Sequence, residues 1–317
     1  MAVELSERLV IGISSRSLFD LSEENRIFKE QGLAAYVEYQ HQNRDKLLEP
    51  GPAFQVIRRF LRLNKMLRLE ADDPAVEVVI MSHNSAETSF RIWKAISHYK
   101  LPITRAVFSG GESLAKYLEA FSIDLFLSSD IKDVQRAIND NCAAAHLRNQ
   151  SMAAKEISFP LRLAFDGDCV LFSDEAEQKY KEGGLALFQE HEAAKANVPL
   201  PAGPFAKFLG KLILLQQRFR DFGFNKPPIR TALVTARNAP AHERVLFTLQ
   251  QWGLWLDESF FLGGVEKGPI LKALGTHIFF DDQPIHLESA GRNEVVGALV
   301  PTIKPLEEPE SEFPEEE

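Results

Sequence analysis

Short apolar runs alternate with amphipathic stretches along the chain. "VEVVIMS" (76–82) and "RTALVTA" (230–236) are continuous enough to be buried strands. "AETSFRIWKAISHY" (86–99) and "AHERVLFTLQQWG" (241–253) instead space their apolar residues as helices do, the second closed by Gly253. "SLAKYLEAF" and "KGPILKALG" predict two shorter helices. Strands that alternate with helices imply α/β architecture with a parallel sheet covered on both faces. Ligands of such sheets bind beyond the carboxyl ends of the strands. Two inserts, roughly 20–75 and 172–228, are too long for simple connections and too apolar for linkers. "GPFAKFLGKLILLQQRFRDFG" (203–223) reads as part of a small helical cap.

The pattern occurs twice. "FKEQGLAAY" (28–36) matches "YKEGGLALF" (180–188) at five of nine positions, an offset of 152 that also pairs Gly51-Pro52 with Gly203-Pro204 and "VIGISSRSLF" with "RLAFDGDCVL". An offset of 153 pairs "VVIMSHNSAE" with "TALVTARNAP", "FSGG" with "FLGG" and "DLFLSSD" with "HIFFDDQ". Unrelated apolar strands do not keep register over so long a span, so the sequence predicts two copies of one unit. The expected boundaries are 1–152 and 153–305, each with a helix-rich insert, followed by an acidic tail at 306–317 that composition marks as solvated and disordered. A chain of 317 residues is long enough for two such units, each with its own core.

Charge narrows the partners. The net charge is −9, but seven glutamates lie after Pro305, which leaves only −2 for the rest. No basic surplus argues for nucleic acid. Two cysteines cannot make a disulfide framework, no leader pattern opens the chain, and no apolar run approaches the roughly 20 residues of a membrane span. A cytoplasmic protein is expected; its oligomeric state is not legible.

Chemistry-bearing residues gather where the second unit's strands end. Asp166 and Asp168 follow "LRLAF", Thr235 ends "ALVT", Lys267 opens a helix, and Asp281-Asp282 follow "HIFF". Converging carboxylates suit Mg²⁺, a hard cation that keeps part of its shell for water and phosphate. A carboxylate can attack phosphorus, and a lysine and a hydroxyl can hold the phosphoryl oxygens as charge moves. A second carboxylate then serves the proton transfers of leaving group and water. Taken singly, Asp-Gly-Asp reads as a turn, Thr235 as a helix N-cap and Lys267 as a solvated lysine; Arg237 and Asn238 either face a substrate or cap a surface.

"FDGDCV", "LVTAR", "EKG" and "FFDD", in that order, resemble the four motifs of the haloacid dehalogenase superfamily. "AFDGDCVLFSDE", "LVTARNAPAHERV" and "FFDDQ" more closely resemble the cytosolic 5'-nucleotidases of the type I family, over nearly the whole chain. The resemblance implies Rossmann-like units and Mg²⁺-dependent hydrolysis of nucleoside 5'-monophosphates through an aspartyl-phosphate. Asp166 would be nucleophile and metal ligand, and Asp168 the general acid/base and a ligand through its carbonyl. Thr235 and Lys267 would bind phosphate, Ala236 and Arg237 would belong with them to the substrate-binding set, and Asp281 and Asp282 would complete the metal site. Phe188 or Phe205 in the insert could stack on the base. Two other readings of the same chemistry stay open: a phosphatase for another small phosphomonoester, and a nucleoside phosphotransferase. A non-enzymatic nucleotide sensor would belong to a different class.

The first copy lacks the set. Ser14, Arg16, Ser82, Leu114 and Ser128-Ser129 stand where the second copy has Asp166, Asp168, Thr235, Lys267 and Asp281-Asp282. It is expected to be a degenerate packing unit. Its serines and Arg16 could alternatively cradle a nucleotide effector.

Overall fold

The computed structural model describes residues 4–68, 74–148 and 158–303. The expected boundary at 152/153, the acidic tail and a few residues of the first insert lie outside them. Among the described residues, ten strands form one sheet: β1 (Leu9–Ser14), β2 (Val76–Ser82), β3 (Arg105–Phe108), β4 (Leu125–Ser128), β5 (Ala144–Leu147), β6 (Leu161–Phe165), β7 (Ile229–Thr235), β8 (Glu258–Phe261), β9 (Ile278–Asp281) and β10 (Val296–Leu299). Their order is β3-β2-β1-β4-β5-β10-β9-β6-β7-β8, parallel throughout except for the β5–β10 pair at the centre. Every residue of β1 and β2 is buried, as helices on both faces require of a parallel sheet.

The helices are α1 (Ser15–Leu18), α2 (Ser22–Gln42), α3 (Phe54–Met66), α4 (Phe90–His98), α5 (Ala115–Ala120), α6 (Ile131–Asn139), α7 (Glu175–Ala194), α8 (Ala206–Asp221), α9 (His242–Trp252), α10 (Lys267–Leu274) and α11 (Pro284–Arg292). Gly253 ends α9 in the left-handed conformation, with φ 65°, where a residue without Cβ is cheapest.

Read inward from either edge, the strand order is the same. β1 and β6 start 152 residues apart, and β2/β7, β3/β8 and β4/β9 start 153 apart. α2 and α7 both break at glycines with positive φ, Gly32 and Gly184, themselves 152 residues apart. Matching isolated bridges, Phe19 to Pro50 and Phe172 to Ala202, close the chain after each helix.

Two expectations change here. The halves share their main core: one cluster of buried side chains runs from Leu9 to Val300, and a smaller one, Ala164 to Val295, lies within the second half. α3 reaches across the centre to β6, and α8 reaches β1. Nor is 203–223 a cap. Phe208, Leu209, Leu212 and Phe219 on α8 are fully buried, because the helix lays its apolar face on the sheet. Phe205 likewise packs among Phe165, Phe208 and Phe280, with ring centroids 6.3, 6.1 and 4.8 Å away, so it is core and unable to stack on a ligand. What stands away from the sheet in the second half is α7, whose 20 residues include only two that are buried, Ala176 and Glu192.

Candidate active site

The carboxyl ends of β6, β7 and β9 meet at one place. Asp166 follows β6, and its backbone N–H donates to Phe280 O at 2.8 Å, so the neighbouring strand fixes where its side chain starts. The chain then turns sharply through Gly167–Leu171, with Cys169 at φ 61°. A Cβ on Gly167 would sit 3.3 Å from Thr235 Oγ1, so the turn lies close against the end of β7. Thr235 is buried, and its hydroxyl oxygen accepts the Arg237 N–H at 3.2 Å, leaving the hydroxyl proton free to donate. It does not cap α9, whose N-cap is Ala241. Ala236, the next residue, is exposed.

Carboxylate oxygens of Asp166, Asp281 and Asp282 lie within 4.8 Å of one another. Lys267 Nζ is 2.8 Å from Asp166 Oδ1 and donates to Asp281 Oδ2 at 2.7 Å. The other Asp281 oxygen accepts the Gln283 N–H at 2.8 Å. Both oxygens of Asp281 are therefore engaged, and its side chain is fully buried. Asp282 Oδ1 is buried without a hydrogen-bond donor, and Asp166 Oδ1 receives no aligned hydrogen bond despite its ion pair.

Three clustered carboxylates, Asp166 and Asp281 buried and Asp282 partly so, share one ammonium, which leaves two negative charges without a partner when all are ionised. Isolated charges of that kind cost several kcal/mol each in a protein interior. Burial pushes the carboxyls of Asp166 and Asp282 up to about 7 and that of Asp281 up to about 6. Burial opposes the charge of Lys267, but Asp166 and Asp281 outweigh it and raise its affinity for the proton. The charge deficit and the orphaned Asp282 oxygen fit a divalent cation with oxygen ligands.

Asp168 lies outside this trio. Its carboxylate is gripped by Arg237, Nε to Oδ2 at 2.9 Å and Nη2 to Oδ1 at 2.7 Å. Arg237 Nη1 donates to Glu192 on α7 and to Ala241 O. Arg244 on α9 donates to the other Glu192 oxygen at 2.8 Å and to Glu175 Oε2 at 3.2 Å. Burial would lower the pKa of Arg237, but Asp168 and Glu192 carry it above the usual arginine value. Phe188 is half-buried, its ring centroid 5.3 Å from the Arg237 guanidinium.

The structure thus brings Asp166, Thr235, Lys267, Asp281 and Asp282 together, with Asp168 beside them. The sequence reading missed Glu192 and Arg244. One signal for them existed: Arg91 and Gln40 stand at the matching places of the first half, and Arg91 Nη1 donates to Gln40 Oε1 at 3.2 Å.

The corresponding strand ends of the first half hold hydroxyls that satisfy one another. Ser14 bonds Ser17 at 2.9 Å, Ser17 bonds Ser129 at 2.8 Å and Ser15 bonds Ser82 at 2.9 Å. Arg16 donates to Asn25 and to Ser129 O, and lies 3.6 Å from Asp130. His83 pairs with Asp133 at 2.8 Å in a structural contact.

Fold and site together define a mostly parallel α/β protein with an acidic, lysine-braced centre at its strand ends. The chain belongs to the 5'-nucleotidase family, whose family model matches residues 1–305. It is 39% identical over 290 residues to cytosolic 5'-nucleotidase 1B of Homo sapiens, an alignment that covers 90% of this chain and 47% of that protein. The chain therefore spans about half the length of this curated relative. No helix among the described residues is long and apolar enough to cross a membrane.

Proposed function

We propose that the chain is a phosphoric monoester hydrolase that releases phosphate from nucleoside 5'-monophosphates through an aspartyl-phosphate, with Mg²⁺ as its cation. The observation that carries this reading is the cluster of Asp166, Asp281 and Asp282, the first two buried and the third partly so, braced by Lys267. Asp166 and Asp282 would hold the cation, while Asp281, with both oxygens engaged, would hold Lys267. Bound there, the cation would neutralise phosphoryl oxygens as a Lewis acid.

An Asp166 oxygen attacks phosphorus as the bond to the ribose 5'-oxygen breaks, and Asp168 gives that oxygen a proton. Asp168 then takes a proton from water, which attacks the same phosphorus, releases phosphate and restores Asp166. The Thr235 hydroxyl and the Ala236 backbone N–H hold phosphoryl oxygens, and Lys267 offsets charge. α7 caps the sugar and base.

The two halves are, on this reading, duplicates, supported by their common strand order and by offsets that stay at 152 or 153. The first is a packing unit: an anionic effector would have to break hydroxyl pairs that already satisfy one another.

Phosphate release from a panel of nucleoside 5'-monophosphates, with Mg²⁺ and after chelation, tests the activity. Turnover should vanish on chelation and fall by about 10⁴-fold or more in Asp166→Asn. Asp166→Asn turning over at the wild-type rate would end the assignment. A sugar phosphate preferred over every nucleotide would move the substrate class, and phosphate passed to an added nucleoside would reveal transfer.

A further inference from the structure

The geometry points to Arg237 and Glu192 as positioning residues for Asp168, so that proton transfer depends on how the C-terminal part of α7 is seated. The inference rests on the proposed hydrolase reading and goes beyond it, because it brings a residue of α7 into the chemical step.

The first observation is the contact itself. Arg237 is 2% exposed and spends Nε and Nη2 on the two oxygens of Asp168. A guanidinium fork fixes a carboxylate's plane as well as its position. Each Asp168 oxygen keeps a lone pair, so the clamp orients the group without occupying it. Arg237 is in turn held by Glu192, whose side chain is fully buried and whose second oxygen is held by Arg244. Donors on all sides of Glu192 leave Arg237 one place to sit.

The second observation is the comparison within the chain. Arg91 stands 153 residues before Arg244, and Gln40 stands 152 before Glu192. In the first half, Arg91 donates to Gln40 Oε1 and to Glu24, and Gln40 passes the network on through Tyr36 to Asn84. Asn84 is the position matching Arg237, and Arg16 the one matching Asp168. Both halves therefore fasten the long kinked helix to the helix after the second strand through an arginine. The half without the carboxylate set has a neutral chain, Gln40–Tyr36–Asn84, where the other half has Glu192, Phe188 and Arg237. In the first half the ion pair Arg91–Glu24 is enough to anchor the helix, so what the second half adds is charge at Glu192 and Arg237, the two places that lead to Asp168. Glutamate, arginine and aspartate occur together where there is an acid/base group to orient.

Steady-state kinetics on the full chain with a nucleoside 5'-monophosphate and Mg²⁺ tests this. Arg237→Ala should lower kcat by about 100-fold with KM changed less than about 3-fold, Arg237→Lys should recover part of the loss, and Glu192→Gln should lower kcat by about 10-fold. In an Asp168→Asn background, adding Arg237→Ala should cost almost nothing more, since the group it orients is already disabled. Gln40→Leu, the matching change in the first half, should lower the melting temperature without changing kcat. If Arg237→Ala does not fold, the paired change Arg237→Met with Glu192→Gln removes the clamp while leaving Arg244 a buried acceptor and its Glu175 partner, and should show the same kcat loss.

A rise in KM at constant kcat would make Arg237 a substrate contact and overturn the inference. So would multiplicative losses with Asp168→Asn, or a Glu192→Gln enzyme with unchanged kcat. Failure of the wild-type chain to hydrolyse any phosphomonoester would instead defeat the underlying functional reading.

Discussion

Adjacent aspartates at the end of β9 face different neighbours, and that separates their contributions. Asp281 has both oxygens engaged, by Lys267 and by the Gln283 N–H, whereas Asp282 has one buried oxygen that nothing donates to. A raised carboxyl pKa means that folding disfavours the ionised form. At neutral pH without a cation, Asp282 therefore opposes stability, and a bound cation reverses the sign. Asp282→Asn should then melt above the wild type in chelator and lose most of the Mg²⁺-induced rise in Tm, with Mg²⁺ affinity down about 10- to 100-fold. Burial raises Asp281 too, to about 6, but its ionised form holds Lys267 and the Gln283 N–H, so the contrast rests on those bonds: Asp281→Asn leaves Lys267 buried with one fewer carboxylate and should lose stability even in chelator. Thermal melts with and without Mg²⁺ distinguish the two. Equal responses from both variants would show that the division of labour is wrong.

At the level of elements, close packing between α10 and α11 sets the position of Lys267. Gly268, the second residue of α10, lies so near α11 that a Cβ would fall 2.3 Å from Ser289 Oγ and 2.6 Å from Ser289 O. Backbone cannot move aside as a flexible side-chain tip can, so Gly268→Ala must push α10 outward and take the neighbouring Lys267 with it. Overpacking of this kind costs about 1–3 kcal/mol, and Gly268→Ala should combine that loss with a large fall in kcat. Urea unfolding paired with kinetics checks it; full activity at reduced stability would show that Lys267 tolerates the shift. The same elements show what the sequence made legible. Strand ends carry the catalytic candidates because a parallel sheet directs them there, so Asp166, Thr235, Lys267 and Asp281-Asp282 could be picked out from order and spacing. α8 was misread because an apolar helical face looks alike whether it covers a sheet or a ligand, and only the fold chooses. Glu192 was missed because one glutamate on a charged helix reads as solvated, and its burial depends on two arginines 45 and 52 residues further along.

For the whole molecule, the antiparallel β5–β10 pair joins what the sequence reads as two units into one sheet, with α3 and α8 each crossing the centre. Helices that pack on the opposite half's strands make each half part of the other's core, so neither should unfold alone. His277, at the start of β9, adds a pH dependence to that coupling. Its Nδ1 accepts the Arg162 N–H at 3.0 Å and so requires a neutral ring. Burial, with the charges of Arg59 on α3 and Arg162, pushes His277 down to about 4. An unfolded histidine titrates near 6.5, so the unfolded chain takes up the proton first. The stability tied to the neutral ring is complete above about pH 6.5 and is lost as the pH falls towards 4. Trp93 packs on Phe108 in the first half and Trp252 on Phe172 in the second, which gives each half its own fluorescent reporter once the other two tryptophans are changed to phenylalanine. Both reporters should melt at one temperature at neutral pH, and both midpoints should shift together on acidification, His277 pulling them down while the raised carboxyls of Asp166, Asp281 and Asp282 push them up. His277→Asn, which keeps an acceptor without a titrating ring, should remove the same downward component from both probes. Separate midpoints would mean that the halves are independent domains, and an acid shift seen only by Trp252 would mean that the seam does not transmit.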